Sequence, residues 1–180
     1  MIHVHEFNRI EQLEEIAPVW NDLLAQTDRA DFFRTLDWLK VYWKHFGQAQ
    51  QLKVLLVEEE SRSLGILPLV VVPKPTRLGQ FRVLSFPMDF WGSFYGDIGP
   101  HPDQTWRAGL DYLLGQCRDW DYFDLRWLQQ SVGEANLVGD AASELGRNLE
   151  EYEDDAIALV DLSIGWDAYW ASRSRNWRSN

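Results

Sequence analysis

The hydrophobic pattern opens with Ile2 to Phe7, a short alternating segment that predicts a strand stopped by Asn8. Asn8 followed by Glu11 has the form of a capping box, so a helix is expected to begin here. Ile10, Leu13, Ile16, Ala17, Trp20, Leu23 and Leu24 then fall on one helical face. Pro18 sits inside that run without an N–H to donate, which predicts a bend or split near Glu14. A second helix starts near Thr35, with Asp37 in its first turn, where the helix dipole favours an anion. Its apolar stripe is Leu39, Tyr42, Trp43 and Phe46, and Gly47 stands where a left-handed C-cap is expected.

The period then changes from helical to extended. Leu52 to Glu58 and Leu64 to Val72 read as strands joined by a polar hairpin, Glu59 to Ser63. Pro68 has no ladder donor and belongs at an edge or a bulge. Phe81 to Phe86 is a third strand of the meander, and Pro87 to Asp103 is a long loop rich in Gly, Pro and aromatic residues. Trp106, Leu110, Leu113, Leu114 and Cys117 mark a helix face, followed by an alternating strand from Tyr122 to Leu128. Asn136 to Gly146 reads as a helix and Ala156 to Leu162 as a strand. Ser163 caps a last helix with the stripe Trp166, Tyr169, Trp170, Arg173 and Trp177. The order β-α-α-β-β-β-α-β-α-β-α predicts an α+β fold: a mixed, mostly antiparallel sheet with helices on both faces.

Composition narrows the function classes. A chain of 180 residues with 46% apolar and 25% charged side chains is long enough for one packed domain. Its net charge of −11 argues against nucleic acid as the main partner, because phosphate neutralisation needs clustered Lys and Arg. One cysteine excludes an internal disulfide framework, and no basic stretch followed by an apolar core suggests a signal peptide. The longest apolar run, Leu64 to Val72, is far short of a membrane span, which makes a cytoplasmic protein the expectation. Ten Trp, six Tyr and nine Phe are unusual; they serve either a small core built from large side chains or stacking on sugars or bases.

The candidate chemistry is sparse. His3 and His5 share a strand face at a chelating spacing, but no Cys or carboxylate cluster completes a metal site, and they read as edge-strand surface residues. Cys117 lies on an apolar helix stripe, as a small buried hydrophobe would. Gly92, Gly96 and Gly99 precede a helix, yet their spacing fits neither a dinucleotide fingerprint nor a P-loop. Asp89, Asp97 and Asp103 would repel a pyrophosphate there, and Arg82 and Arg107 flank the loop without filling it. What the loop offers is aromatic: Phe90, Trp91, Phe94 and Tyr95 beside carboxylates, a wall for a substrate cleft or a packed cover over the sheet edge. Asp89, Trp91, Tyr95 and Asp97 are the candidate substrate-binding residues.

The end of the sequence changes character. Residues 150–161 carry six acidic groups and no basic ones, whereas 166–180 carry three Arg against one Asp. The final helix pattern runs to SRSRNWRSN without a C-cap, which raises the expectation that a further segment follows. The organisation expected is a domain over 1–163 and the start of a basic helix over 164–180. Arg173, Arg175 and Arg178 read as a solvated face or as packing for such a neighbour.

Several local words in this order resemble the GNAT-related acyltransferases of the CelD/BcsL type, relatives of the FemAB peptidoglycan transferases. They are VWNDLLAQ at 19–26, FFRTLDWLKVYWKHFG at 32–47, GILPLVVV at 65–72 and WDAYWASRSRNWRSN at 166–180. The resemblance implies two GNAT-like halves in tandem, with acyl-CoA held mainly by the C-terminal one. A GNAT cofactor turn has the form Gln/Arg-x-x-Gly-x-Gly/Ala between a strand and the following helix, and its backbone N–H groups hold the pyrophosphate. The equivalent stretch here, Phe86 to Trp106, has no basic lead residue and the wrong glycine spacing.

The resemblance therefore implies the acceptor-side, N-terminal half of an N-acyltransferase, inactive as this fragment. Acetyl-CoA or another acyl-CoA is expected in a missing C-terminal half of the same polypeptide, with no cofactor in this chain. The acceptor would be an amine on a sugar, peptide or polysaccharide precursor, and no catalytic residue can be assigned. An aromatic-rich carbohydrate-binding module is the alternative, and a single-domain acetyltransferase is a third reading that the missing turn weakens.

Overall fold

The computed structural model describes residues 1–28, 30–77, 79–88, 95–115, 119–128, 133–152 and 163–178. The chain separates into two compact units, 1–149 and 150–180. The boundary expected at 163/164 falls within the second.

In the first unit the elements are β1 (Ile2–Phe7), α1 (Ala17–Ala25), α2 (Leu36–Phe46), β2 (Gln51–Glu59), β3 (Arg62–Thr76), β4 (Gly79–Ser85), α3 (Pro102–Gly115), β5 (Tyr122–Phe123) and α4 (Glu134–Glu144). The sheet order is β1-β2-β3-β4-β5. The first three pairings are antiparallel and β4–β5 is parallel, so the class is mixed α+β. A parallel neighbour requires a crossover, and α3 supplies it.

Both faces of the sheet are buried, which explains why β2 and β3 read as nearly unbroken apolar runs. Leu52, Val54, Leu56, Ile66 and Val70 pack with Leu13, Trp20, Leu23, Leu36 and Leu39 from the α1/α2 side. Leu55, Leu67, Leu69 and Val71 pack with Trp106, Leu110, Leu113 and Val138 from the α3/α4 side. Strand alternation divides the residues this way, and each fully buried side chain of this size stabilises by about 1.5–3 kcal/mol. Lys53 is the exception in β2, 1% exposed, with Nζ 3.0 Å from both Glu6 and Asp119. The Tyr112 hydroxyl donates to the second oxygen of Glu6.

Pro18 does split the first helical run: a 3-10 turn covers Ile10–Glu14, and Pro18 stands in the first turn of α1, where its missing N–H costs nothing. The capping box expected from Asn8 and Glu11 is displaced by one residue, with the Arg9 N–H donating to the Gln12 side chain. Thr35 caps α2 as its sequence predicts, its hydroxyl accepting from the Trp38 N–H at 3.1 Å.

Gly47 corrects an expectation. Its φ of −69° is right-handed, and the chain continues into a 3-10 turn. A Cβ there would lie 2.6 Å from the Trp43 ring, so steric room rather than handedness calls for glycine.

The β2–β3 hairpin is tighter than expected, turning on Glu60 and Ser61 at φ 48° and 69°. Positive φ at both central positions matches the right-handed twist of the strands. Pro68 sits where its missing donor does least harm. The Ile66 N–H points away from β2 to the Ile98 carbonyl, so the Pro68 nitrogen, two residues on, faces the same way. Pairing with β4 begins only at Val70, leaving Pro68 in the gap.

The strand expected over Tyr122 to Leu128 is cut to two residues, because the chain leaves β4 after Phe123 and Trp127 takes φ 65°. The expected strand at 156–162 and Cys117 lie outside the described residues.

The second unit contains α5 (Trp166–Ser172) and α6 (Arg175–Arg178) rather than one helix, with Arg173 in an extended conformation between them. The break folds the expected stripe into a knot. Trp166 and Trp170 have ring centres 5.5 Å apart, Trp177 lies 5.7 Å from Trp170, and the Arg173 guanidinium sits 4.3 Å over Tyr169. Trp166, Trp170 and Trp177 remain exposed. No helix among the described residues is long and apolar enough to cross a membrane.

Candidate functional site where β4 and β5 part

Strands β4 and β5 share only two residue pairs, Val83 with Tyr122 and Leu84 with Phe123. Among the described residues the Asp124 N–H to the Leu84 carbonyl is the last rung at this end. Beyond it the Tyr95 N–H, and not a β4 donor, reaches the Trp127 carbonyl at 3.2 Å. The segment from Tyr95 to Ile98 thus enters beside β5 and ends in a two-way bridge between Ile98 and Ile66.

Aromatic side chains fix this segment. The Tyr95 ring stacks on Phe86 at 5.7 Å, and Trp106 meets Phe86 edge-on at 6.2 Å. From the other side the Trp38 indole donates to the Tyr95 oxygen at 2.7 Å. Phe33 packs 5.0 Å from Trp38 and 6.3 Å from Tyr95. Tyr95 is 1% exposed. Burial pushes its phenol well above the ordinary range, outweighing the Trp38 hydrogen bond that works in the opposite direction, so the hydroxyl stays neutral.

Asp97 is also inside. One carboxylate oxygen accepts from the Trp106 indole at 3.0 Å, and its backbone carbonyl accepts from buried Arg34 at 3.0 Å. The Arg34 carbonyl in turn accepts from the Trp20 indole, tying the segment to α1. Gly99 follows at φ 136°, held by the Thr27 hydroxyl, and a Cβ there would lie 2.6 Å from the Leu64 carbonyl. Only glycine permits both that conformation and that approach.

Of the four candidate residues, Tyr95 and Asp97 are brought together as interior groups, and Asp89 and Trp91 lie outside the described residues. Tyr95 is therefore no open stacking platform. Sequence reasoning missed the groups that hold them: Phe33, Arg34, Trp38, Phe86 and Trp106. A signal was present in the word FFRTLDW, whose aromatic positions exceed what one amphipathic stripe can bury.

Across from this parting, charge pairs stitch β4 to the start of β5. Asp121 takes the Arg82 guanidinium and its N–H, which holds the Asp121 carboxyl below its ordinary range. Burial works to raise the Asp124 carboxyl, but Arg126 and Lys74 outweigh it and hold it low.

No family model matches this sequence, and no curated protein sequence matches it. Among solved structures it is similar to a possible acetyltransferase from Clostridium difficile 630, at 9% identity and a TM-score of 0.46, over 89% of this chain and 99% of that one. It is also similar to a ribosomal-protein-alanine N-acetyltransferase from Brucella melitensis biovar Abortus 2308, at 11% identity and a TM-score of 0.45, over 88% and 99%. A third, described as a probable acetyltransferase, gives 13% identity and a TM-score of 0.41, over 88% and 99%.

Proposed function

We propose that this chain is the acceptor-side half of a GNAT-related N-acyltransferase of the CelD/BcsL type, working with a C-terminal half that holds acyl-CoA. The observation that carries the reading is the β4–α3–β5 unit: a parallel pair that parts after two residues, with the chain's own Tyr95 inserted beside β5. The element order through α4 supports the same reading, as it follows the order expected from the hydrophobic pattern.

In the complete enzyme an amine on a sugar or peptide attacks the acyl thioester carbonyl. A general base takes the amine proton and backbone donors hold the oxyanion. This chain's part is to shape the acceptor wall. Tyr95 and Asp97 stiffen it from within, and Asp89 and Trp91 are its substrate-contacting residues.

The test is a nuclear magnetic resonance titration of the 180-residue protein with glucosamine and, separately, with an unblocked dipeptide amide. Saturable shifts of the Trp38 and Trp106 indole N–H signals are expected. No shift with either amine would remove the acceptor assignment.

A second reading has one observation in its favour. Trp166, Trp170 and Trp177 are 58%, 38% and 48% exposed, as a carbohydrate-stacking surface requires. Binding of cellohexaose that is lost in Trp166→Ala would favour this module over the acyltransferase half.

A further inference from the structure

The edge of the sheet opposite β5 ends in β1, whose sheet partner among the described residues is β2 alone. Its pairing with β2 runs without a bulge from Ile2↔Glu59 to Phe7↔Val54, and it contains neither proline nor lysine. Its outer row of backbone donors and acceptors is therefore a template for another strand.

Alongside that edge runs an open groove of about 1030 Å³, bounded by β1, α3 and the end of α4. Ile2, His3 and Val4 all line it. Consecutive strand residues point to opposite faces, so it is the strand's edge that forms this wall. The facing wall is α3, with Arg107, Asp111 and Tyr112. Arg107 is occupied by an ion pair with Glu144. Asp111 is exposed and makes no ion pair among the described residues. The groove thus sets one cation against two carboxylates, on a chain of net charge −11.

We propose that this groove is a docking site for an extended peptide segment of a partner protein, which adds a strand to β1 and sets a Lys or Arg against Asp111. Backbone hydrogen bonds to the β1 edge supply register, and alternate side chains enter the groove against Ile2, Val4 and Tyr112. Asp111 selects the basic side chain, and the overall negative charge favours approach of a basic segment.

The experiment titrates the isotope-labelled 180-residue protein with the probe acetyl-Thr-Val-Lys-Val-Thr-amide. Expected are saturable shifts in the amides of Ile2 to Phe7 and around Asp111. Methylating the peptide amide nitrogens one at a time should abolish binding at alternate positions and spare those between, since only every second N–H faces β1. Asp111→Asn should weaken the lysine peptide about threefold and leave a norleucine version unchanged.

Absence of saturable shifts at millimolar peptide overturns the proposal. So does binding that ignores the position of N-methylation. A concentration-dependent dimer in sedimentation that protects the β1 amides would assign the edge to a second copy, and would overturn it as well.

Discussion

The Trp38 indole N–H donates to the phenol oxygen of Tyr95 across 2.7 Å, joining residues 57 positions apart in sequence. This bond links α2 to the segment that enters beside β5, at a point where Tyr95 is almost wholly buried. Removing only the oxygen isolates its role. Tyr95→Phe keeps the stack on Phe86 and leaves the Trp38 N–H unpartnered, a loss of about 1–2 kcal/mol in urea denaturation at neutral pH.

The same variant carries a pH signature. The folded phenol titrates above its ordinary value of 10.0, so its contribution is complete below that pH. As pH rises further the unfolded chain ionises first, and the native state loses stability until the folded phenol titrates too. The gap between wild type and Tyr95→Phe should therefore narrow above pH 10. A constant gap would mean that the phenol is solvated in the folded protein.

Asp97 anchors Trp106 through its indole. Asp97→Asn preserves an acceptor and should cost less than about 1 kcal/mol, whereas Asp97→Ala orphans a buried donor and should cost roughly 2–3 kcal/mol. Thermal unfolding of both variants checks this. Equal midpoints would show that the carboxylate does not hold the indole.

Lys53 bridges Glu6 and Asp119 from a buried position in β2, among apolar neighbours. Burial works to lower its pKa, but the hydrogen bonds to the two carboxylates outweigh that and raise it. Lys53→Met leaves those carboxylates without their cation. Partial exposure of Asp119 moderates the penalty, so a loss of about 2–3 kcal/mol is expected, or roughly 5–10 °C in Tm. A neutral substitution would mean that the ion triad contributes nothing beyond what packing at this site supplies.

Trp127 holds φ at 65°, a conformation in which a bulky residue is strained. Trp127→Gly and Trp127→Ala both delete the side chain, but only glycine relieves the backbone. The glycine variant should be the more stable by about 1 kcal/mol in urea denaturation. Equal stability would indicate that the backbone there relaxes at no cost.

Much of the fold was legible because it follows from local pattern. Leu52 to Glu58 and Leu64 to Val72 read as strands since both faces are covered, and Thr35 and Pro18 act within one turn of themselves. The rest depends on packing partners. Tyr95 and Asp97 sit in a Gly- and Pro-rich stretch that admits both a cleft wall and a packed cover, and Phe33, Arg34, Trp38, Phe86 and Trp106, brought in by tertiary packing, bury these two residues. Gly47 was misjudged for the same reason, since the Trp43 ring that demands a glycine is invisible to a capping rule. β5 stops at Phe123, and the positive φ of Trp127, four residues on, is something that alternation cannot foresee.

The most direct measurement is the thermal unfolding of the 180-residue protein with and without acetyl-CoA. With the donor held by a partner half, Tm should not change even at millimolar acetyl-CoA. A ligand at 100 times its Kd would stabilise the folded chain by about 2.7 kcal/mol, raising Tm by roughly 5–10 °C. Such a rise would contradict the account and place acyl-donor binding in this chain itself.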